Sequence, residues 1–158
     1  MSPLRDRPAI PASYGIETSE EGMLSWEQVR AAIDGTKTYW ISTVRADGEP
    51  HLIPNWGGWD GSKLHIEGGD DTLWARNLAH NGAVRVGADN DSIQVIIHGT
   101  ALNGHAEAFD VVAANYASKY PYTPADPDFW IITPTKVLAW DISEFAKSPT
   151  RFRFEEAS

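Results

Sequence analysis

The chain has 158 residues, of which 42% are hydrophobic and 22% charged, values of an ordinary globular domain that exclude general disorder. Its 13 Lys and Arg residues against 22 Asp and Glu residues give a formal net charge of −9. A nucleic-acid or anionic-membrane partner needs a basic surface, so this balance argues against both. Cysteine is absent, which excludes disulfides, thiolate zinc sites and a cysteine nucleophile. With no signal sequence or apolar membrane span recognised, we expect a soluble cytoplasmic protein.

The domain organisation follows from length and local composition. Residues 1–22 carry three prolines and no apolar period, which predicts a flexible N-terminal arm. Residues 23–154 are expected to form a single domain, and residues 155–158 a short tail.

Three helices are predicted. Ser25 followed three residues later by Gln28 is a capping-box pattern, and Trp26 and Val29 then begin a helical period that ends at Gly35. Two further helices are predicted over residues 72–80 and 107–120.

The remaining elements are predicted strands at residues 38–45, 50–57, 63–67, 83–89, 93–102 and 136–142. Asp47-Gly48 and Asn90-Asp91 are typical hairpin turns, and Pro54 places its strand at an edge or a bulge. Hairpin-linked strands with few helices favour a closed antiparallel sheet. We therefore expect a mainly β protein, a small β-barrel with peripheral helices.

Motifs for common chemistries are missing. The sequence has no G-x-G-x-x-G, no P-loop and no G-x-S-x-G elbow, and its five histidines share no metal-ligand spacing. We therefore predict no metal site. The informative segment is a strand that runs into Gly68-Gly69 and then a helix that begins at Thr72, because free amides at a helix start can bind phosphate.

Several fragments, in order, resemble one family. They are TVRADGEPHLIPNW, KLHIEGGDDTLWARNL, IQVIIHGTA and the ending SPTRFRF, and together they span about residues 25–154. The sequence is similar to the pyridoxamine 5′-phosphate oxidase-like split barrels, most of all to their actinobacterial FMN and deazaflavin (F420) branch. This resemblance implies a six-stranded antiparallel split β-barrel of the FMN-binding type and a homodimer with a cofactor in each of two clefts between the subunits.

The resemblance also implies which residues bind the cofactor. The segment from His51 to Asn55 would lie along the flavin, Glu67 and Gly68 near the ribityl phosphate, and Thr72 on the phosphate itself. Gln94 would contact the flavin, and Trp140 and Arg151 lie in the region that the second subunit uses to close the cleft. The full expected set is His51, Ile53, Pro54, Asn55, Glu67, Gly68, Thr72, Trp74, Arg76, Asn77, Gln94, Trp140 and Arg151.

The sequence departs from the family after Thr72, where Leu73 and Trp74 stand in place of basic residues. Arg76 and Arg85 are the expected compensating charges. Three alternatives stay open: phosphate held by backbone and Arg76, a cofactor bound weakly or differently, or an empty pocket.

The function expected from the resemblance is an FMN- or F420-dependent oxidoreductase that passes a hydride to or from a small apolar or aromatic substrate. The alternative is a non-catalytic binder or sensor of a flavin, haem or other planar ligand in the same cleft. Four tryptophans are candidate walls for a planar substrate: Trp56, Trp59, Trp74 and Trp130.

Overall fold

A computed structural model describes residues 2–155. Its helices are α1 (Trp26–Gly35), α2 (Leu73–His80) and α3 (Phe109–Lys119), with one-turn 3₁₀ segments at Ala12–Tyr14 and Ile142–Glu144. The predicted capping box is confirmed, because the Gln28 amide donates to the Ser25 hydroxyl while the Gln28 side chain accepts from the Ser25 amide. No helix in this part of the chain is long and apolar enough to cross a bilayer.

The described residues form nine strands of one sheet: β1 (Leu4–Asp6), β2 (Tyr39–Val44), β3 (Pro50–Asn55), β4 (Gly58–Trp59), β5 (Leu64–Ile66), β6 (Ala83–Asp89), β7 (Ile93–His105), β8 (Asp128–Asp141) and β9 (Thr150–Arg153). All pairings in this sheet are antiparallel, in the order β1-β9-β8-β7-β6-β2-β3. β5 pairs with both β4 and the first half of β8.

The mainly β antiparallel fold with three helices is confirmed, but two details of the expectation are wrong. The sheet is open, because the end strands β1 and β3 do not pair with each other within residues 2–155. Nine strands are present there instead of six, because the short strands β1, β4 and β9 have too few residues to show a period. In addition, β8 begins at Asp128, before the predicted start at residue 136.

The core lies on one side of this sheet. Alternate residues of β2, β6, β7 and β8 are fully buried, among them Ile41, Val86, Ile97 and Val137, while their neighbours face solvent. Helix α1 packs on β6 and β7 and α2 on β2, so both helices cover the core-facing side. The other side of the sheet is exposed or half-buried, and we call it the outer face.

The N-terminal segment differs from the flexible arm expected for residues 1–22. β1 pairs with β9, and Asp6 accepts hydrogen bonds from Arg151 at 2.7 and 2.8 Å. The Arg7 guanidinium donates to the backbone carbonyls of Ser19 and Lys147. Residues 4–7 are therefore packed against the domain. Of the tail expected at residues 155–158, all but the first residue lie outside the described residues.

Candidate functional site

The predicted stretch from His51 to Asn55 divides between the two sides of the sheet. In the β2–β3 register His51 lies opposite the buried Thr43, and Ile53 lies opposite the buried Ile41, so both belong to the core-facing side. Asn55 shares that side, whereas Pro54 lies on the outer face. β3 pairs only with β2 within residues 2–155, which confirms that Pro54 sits in an edge strand.

A local hydrogen-bond network builds the start of α2. The Thr72 hydroxyl accepts from the Ala75 amide at 3.3 Å and donates to the Gly69 carbonyl at 2.8 Å, so Thr72 is the N-cap. A hydroxyl oxygen has two acceptor positions, and one of them stays free. An anion needs a donor, so the Thr72 hydroxyl can bind one only if its proton turns away from the Gly69 carbonyl.

Trp74 lies in the core and not on an open wall. Its side chain is 6% exposed, and a Cβ placed on Gly68 would come within 2.2 Å of the Trp74 ring. Of the four tryptophans expected to line a substrate site, Trp59 and Trp130 are also buried, and only Trp56 is exposed, at 45%. Gly68 is thus needed for the ring of Trp74 to pack.

Arg76 and Asn77 point to different surroundings. The Asn77 amide is buried and donates to the Thr43 hydroxyl at 3.0 Å, which ties α2 to β2. Arg76 is exposed and lines a cavity of about 310 Å³ together with Arg45 at the end of β2. Arg85, expected as a compensating charge, is instead on the outer face at the Ser42 position of the β2–β6 register. The arginine that lines the cavity with Arg76 is therefore Arg45 and not Arg85.

Asn55 and Glu67 connect the ends of β3 and β5. The Asn55 amide donates to the Glu67 carbonyl at 3.3 Å, and the Glu67 carboxylate accepts from the Tyr122 hydroxyl at 2.8 Å. That hydrogen bond to a carboxylate raises the pKa of Tyr122. Next to them Trp56 stacks on Tyr120 with ring centroids 4.7 Å apart. An aromatic surface therefore borders Glu67.

The last three predicted residues lie on the outer face. The Trp140 indole donates to the Gln94 side chain at 3.0 Å across β7 and β8. Arg151 is engaged by Asp6. Within one chain, the structure brings together Asn55, Glu67, Gly68 and Trp74, with Thr72 beginning the same helix. Gln94, Trp140 and Arg151 form a second group on the opposite side of the sheet.

Sequence reasoning missed Arg45 and Tyr122. Arg45 lies two residues before the Asp47-Gly48 turn, and nothing local signals that the turn places it beside α2. Tyr122 lies between α3 and β8, in a segment with no periodic pattern. Both acquire their roles from tertiary contacts, which sequence spacing alone does not encode. No group of three His, Asp or Glu side chains in the described part of the chain is arranged to hold a metal ion.

Comparison of the sequence with models of known protein families shows the family of this chain. The family model described as pyridoxamine 5′-phosphate oxidase matches residues 25–141, well over half of the chain. The chain belongs to the pyridoxamine 5′-phosphate oxidase family. Comparison of its sequence with curated proteins gives no match.

Solved structures agree with this family at the level of the fold. An F420 reductase is 21% identical with a TM-score of 0.55, over 68% of this chain and 94% of its own. A conserved hypothetical protein from Mycobacterium tuberculosis is 21% identical with a TM-score of 0.63, over 79% of this chain and 89% of its own. General stress protein 26 from Bacillus anthracis str. Sterne is 20% identical with a TM-score of 0.59, over 81% of this chain and 97% of its own. The family and these folds make the chain a split-barrel protein of a flavin-related family.

Proposed function

We propose that two copies of this chain form a cytoplasmic homodimer whose two clefts each bind FMN or the deazaflavin F420, and that the dimer is an oxidoreductase. One observation carries the proposal: the expected cofactor residues lie on two opposite sides of a single chain. Gln94 and Trp140 are on the outer face, whereas Thr72 and Arg76 border the core-facing side. The outer face of a second copy, with its Gln94 and Trp140, would then lie against Thr72 and Arg76 of the first copy and complete a site that one chain leaves open.

The phosphate end fits an anion. Arg45 and Arg76 line one cavity beside α2, and the first-turn amides of that helix carry partial positive charge. The Arg45 guanidinium also has Asp47 at 3.7 Å, an exposed ion pair that an incoming phosphate can replace at little cost. In our proposal Arg45 and Arg76 supply the charge that Leu73 and Trp74 do not.

The ring end fits a planar heterocycle. β3 is an edge strand in the described residues, so one row of its backbone N–H and C=O groups has no partner in the sheet. Such groups can hydrogen-bond the polar edge of a flavin, except at Pro54, which has no N–H. A bound flavin or deazaflavin supplies hydride transfer. The chain's part is then to orient the ring and exclude water beside a small substrate.

Paired titrations with FMN and riboflavin test the phosphate end, because riboflavin keeps the ring and lacks the phosphate. Arg45→Ala and Arg76→Ala should each weaken FMN binding by about 10- to 150-fold, the equivalent of one charge-assisted hydrogen bond. Riboflavin binding should stay the same. Arg30→Ala, which removes an exposed arginine of α1, is the matched control. Equal losses for both ligands, or no loss for either, would contradict the assignment.

A second candidate function is a non-catalytic binder of a flavin, haem or other planar ligand in the same cleft. It is favoured by the two uncharged residues after Thr72, one of which is buried in the core. The visible spectrum of the freshly purified protein separates these candidates, because oxidised FMN, F420 and haem absorb differently. Oxidation of the reduced cofactor on the protein by an added substrate would then distinguish an enzyme from a binder.

A further inference from the structure

A cavity of about 950 Å³ lies between the start of α1, the turn that joins β4 to β5, and the bulge of β7 and β8. None of the residues expected to bind the cofactor lines this cavity, so it is separate from the candidate cofactor site. Its volume is near the upper end of the range of about 300–1,000 Å³ that is typical of small-molecule sites. The cavity therefore has room for a ligand larger than a single amino acid.

One wall of the cavity is aromatic. The rings of Trp26 and Phe154 meet edge to face with centroids 5.1 Å apart, and we call this pair the aromatic wall. Trp26 also lies 5.3 Å from the ring of the fully buried Phe152, so the core holds the wall in place. Leu102 lines the same cavity from β7 and is 71% exposed. A ring or apolar side chain that entered the cavity would remove apolar area from water.

The sheet contributes hydroxyl groups to a second wall. Thr100 and Thr133 lie directly opposite each other in β7 and β8, and both are exposed and line the cavity. Thr135 also lines it and has no opposite residue in β7, because the register shifts after His98. A bulge of this kind redirects side chains. Hydroxyl groups both donate and accept hydrogen bonds, so this wall suits a ligand with amide groups.

Charges of both signs line the cavity. The cations are Arg30 and Lys63, and the carboxylates are Glu27 and Glu155. Lys63 is half-buried and the other three are exposed. None of the four forms an ion pair with another residue of the described range 2–155. A ligand with one sign of charge would meet both attraction and repulsion here, whereas a ligand that carries both signs can satisfy both pairs.

We propose that this cavity binds a short peptide with two free ends and an aromatic side chain. Arg30 and Lys63 donate to the terminal carboxylate, and Glu27 and Glu155 accept from the terminal ammonium. The aromatic side chain lies against the aromatic wall, and the peptide amide meets the threonine hydroxyls. The inference does not depend on the proposed function, because the two sites share no residue.

Calorimetric titrations of the full-length protein at pH 6.5 test this assignment. The probe is the dipeptide phenylalanylalanine, whose terminal amine is protonated there because its usual pKa is about 7.7–8.0. The N-acetyl dipeptide lacks the ammonium, the dipeptide amide lacks the carboxylate, and alanylalanine lacks the ring. We expect phenylalanylalanine to bind at least about threefold more tightly than each of these three. Free phenylalanine has both charges and the ring but no peptide group, and it should also bind more weakly.

Two variants assign the charged contacts. Lys63→Gln should weaken binding of phenylalanylalanine and of its N-acetyl form by about threefold and leave binding of the amide unchanged. Glu27→Gln should weaken binding of phenylalanylalanine and of the amide and leave binding of the N-acetyl form unchanged. Lys37→Gln and Glu49→Gln are the matched controls, because both residues are exposed and neither lines the cavity.

Equal binding of phenylalanylalanine and its three analogues, or no binding of any of them at millimolar concentration, would overturn this inference. Free phenylalanine that binds as tightly as the dipeptide would overturn the assignment to a peptide. These comparisons use the unchanged protein, so they decide the matter even when a variant fails to fold. FMN is titrated in parallel: if the dipeptide binds selectively and FMN does not bind, the cofactor assignment fails and the peptide site stands. FMN binding without selective binding of the dipeptide has the opposite meaning.

Discussion

Replacing Trp74 with Lys restores a basic residue where the family commonly has one, and we expect it to destabilise the fold. The indole is 6% exposed, belongs to the main core cluster and packs over Gly68. Truncating a buried Trp costs about 3–5 kcal/mol, and the ammonium that replaces it must also leave water. For a domain of this size each kcal/mol lowers the melting temperature by about 2–4 °C, so we expect a drop of about 6–20 °C.

Circular dichroism melting curves measure this effect directly. Leu73→Lys is the matched control, because Leu73 is only half-buried and lines the cavity of Arg45 and Arg76. That variant should melt within a few degrees of the wild type and bind FMN more tightly, with the gain reduced at high salt because salt screens exposed charges. A Trp74→Lys variant that melts like the wild type would refute the core assignment of this ring.

One substitution and two measurements on the unchanged protein test other parts of the structure. Asp6→Asn should lower the melting temperature at neutral pH, because it removes the ion pair with Arg151. Arg151 holds the pKa of Asp6 below its usual value, so the advantage of the wild type should vanish in acid as the pH falls through that lowered pKa. Equal melting temperatures at neutral pH would contradict the pairing of β1. Burial, with two cations on neighbouring strands, lowers the pKa of His98 to about 4, so its NMR resonances should titrate there and not near pH 6.5. Burial lowers the pKa of Lys119 to about 8, so acylation at that pH should label it ahead of an exposed lysine, and equal rates would contradict its placement over two tyrosine rings.

Elements with local signals were predictable from the sequence. The capping box at Ser25, the helix start predicted at Thr72 and the strand at residues 83–89 match the structure to within a residue, because each depends on neighbours within a few residues. The hairpin at Asn90-Asp91 is also confirmed, with Asp91 in the left-handed region at φ 75°. These elements indicate a mainly β fold, whereas the family came from the resemblance of several sequence fragments in order.

The missed elements depend on distant partners. β1 and β9 have three and four residues, and each is defined by its neighbour across the sheet. The first half of β8 contains Pro134, which lies opposite Gly99 where the β7–β8 register shifts at a bulge, so a proline that argues against a strand is accommodated there. Likewise, the arginine beside Arg76 came from the end of β2 and not from β6, a proximity that only the folded chain creates.

Sedimentation velocity with FMN tests the central claim most directly, because one run reports the mass of the protein and the position of the flavin. Absorbance in the protein band and in the visible flavin band should move together in a species of twice the 17.4 kDa chain mass. F420, followed in its own visible band, is the parallel sample. A protein boundary at the mass of one chain, or visible absorbance of both cofactors left behind with the free small molecules, would contradict a cofactor site shared by two copies.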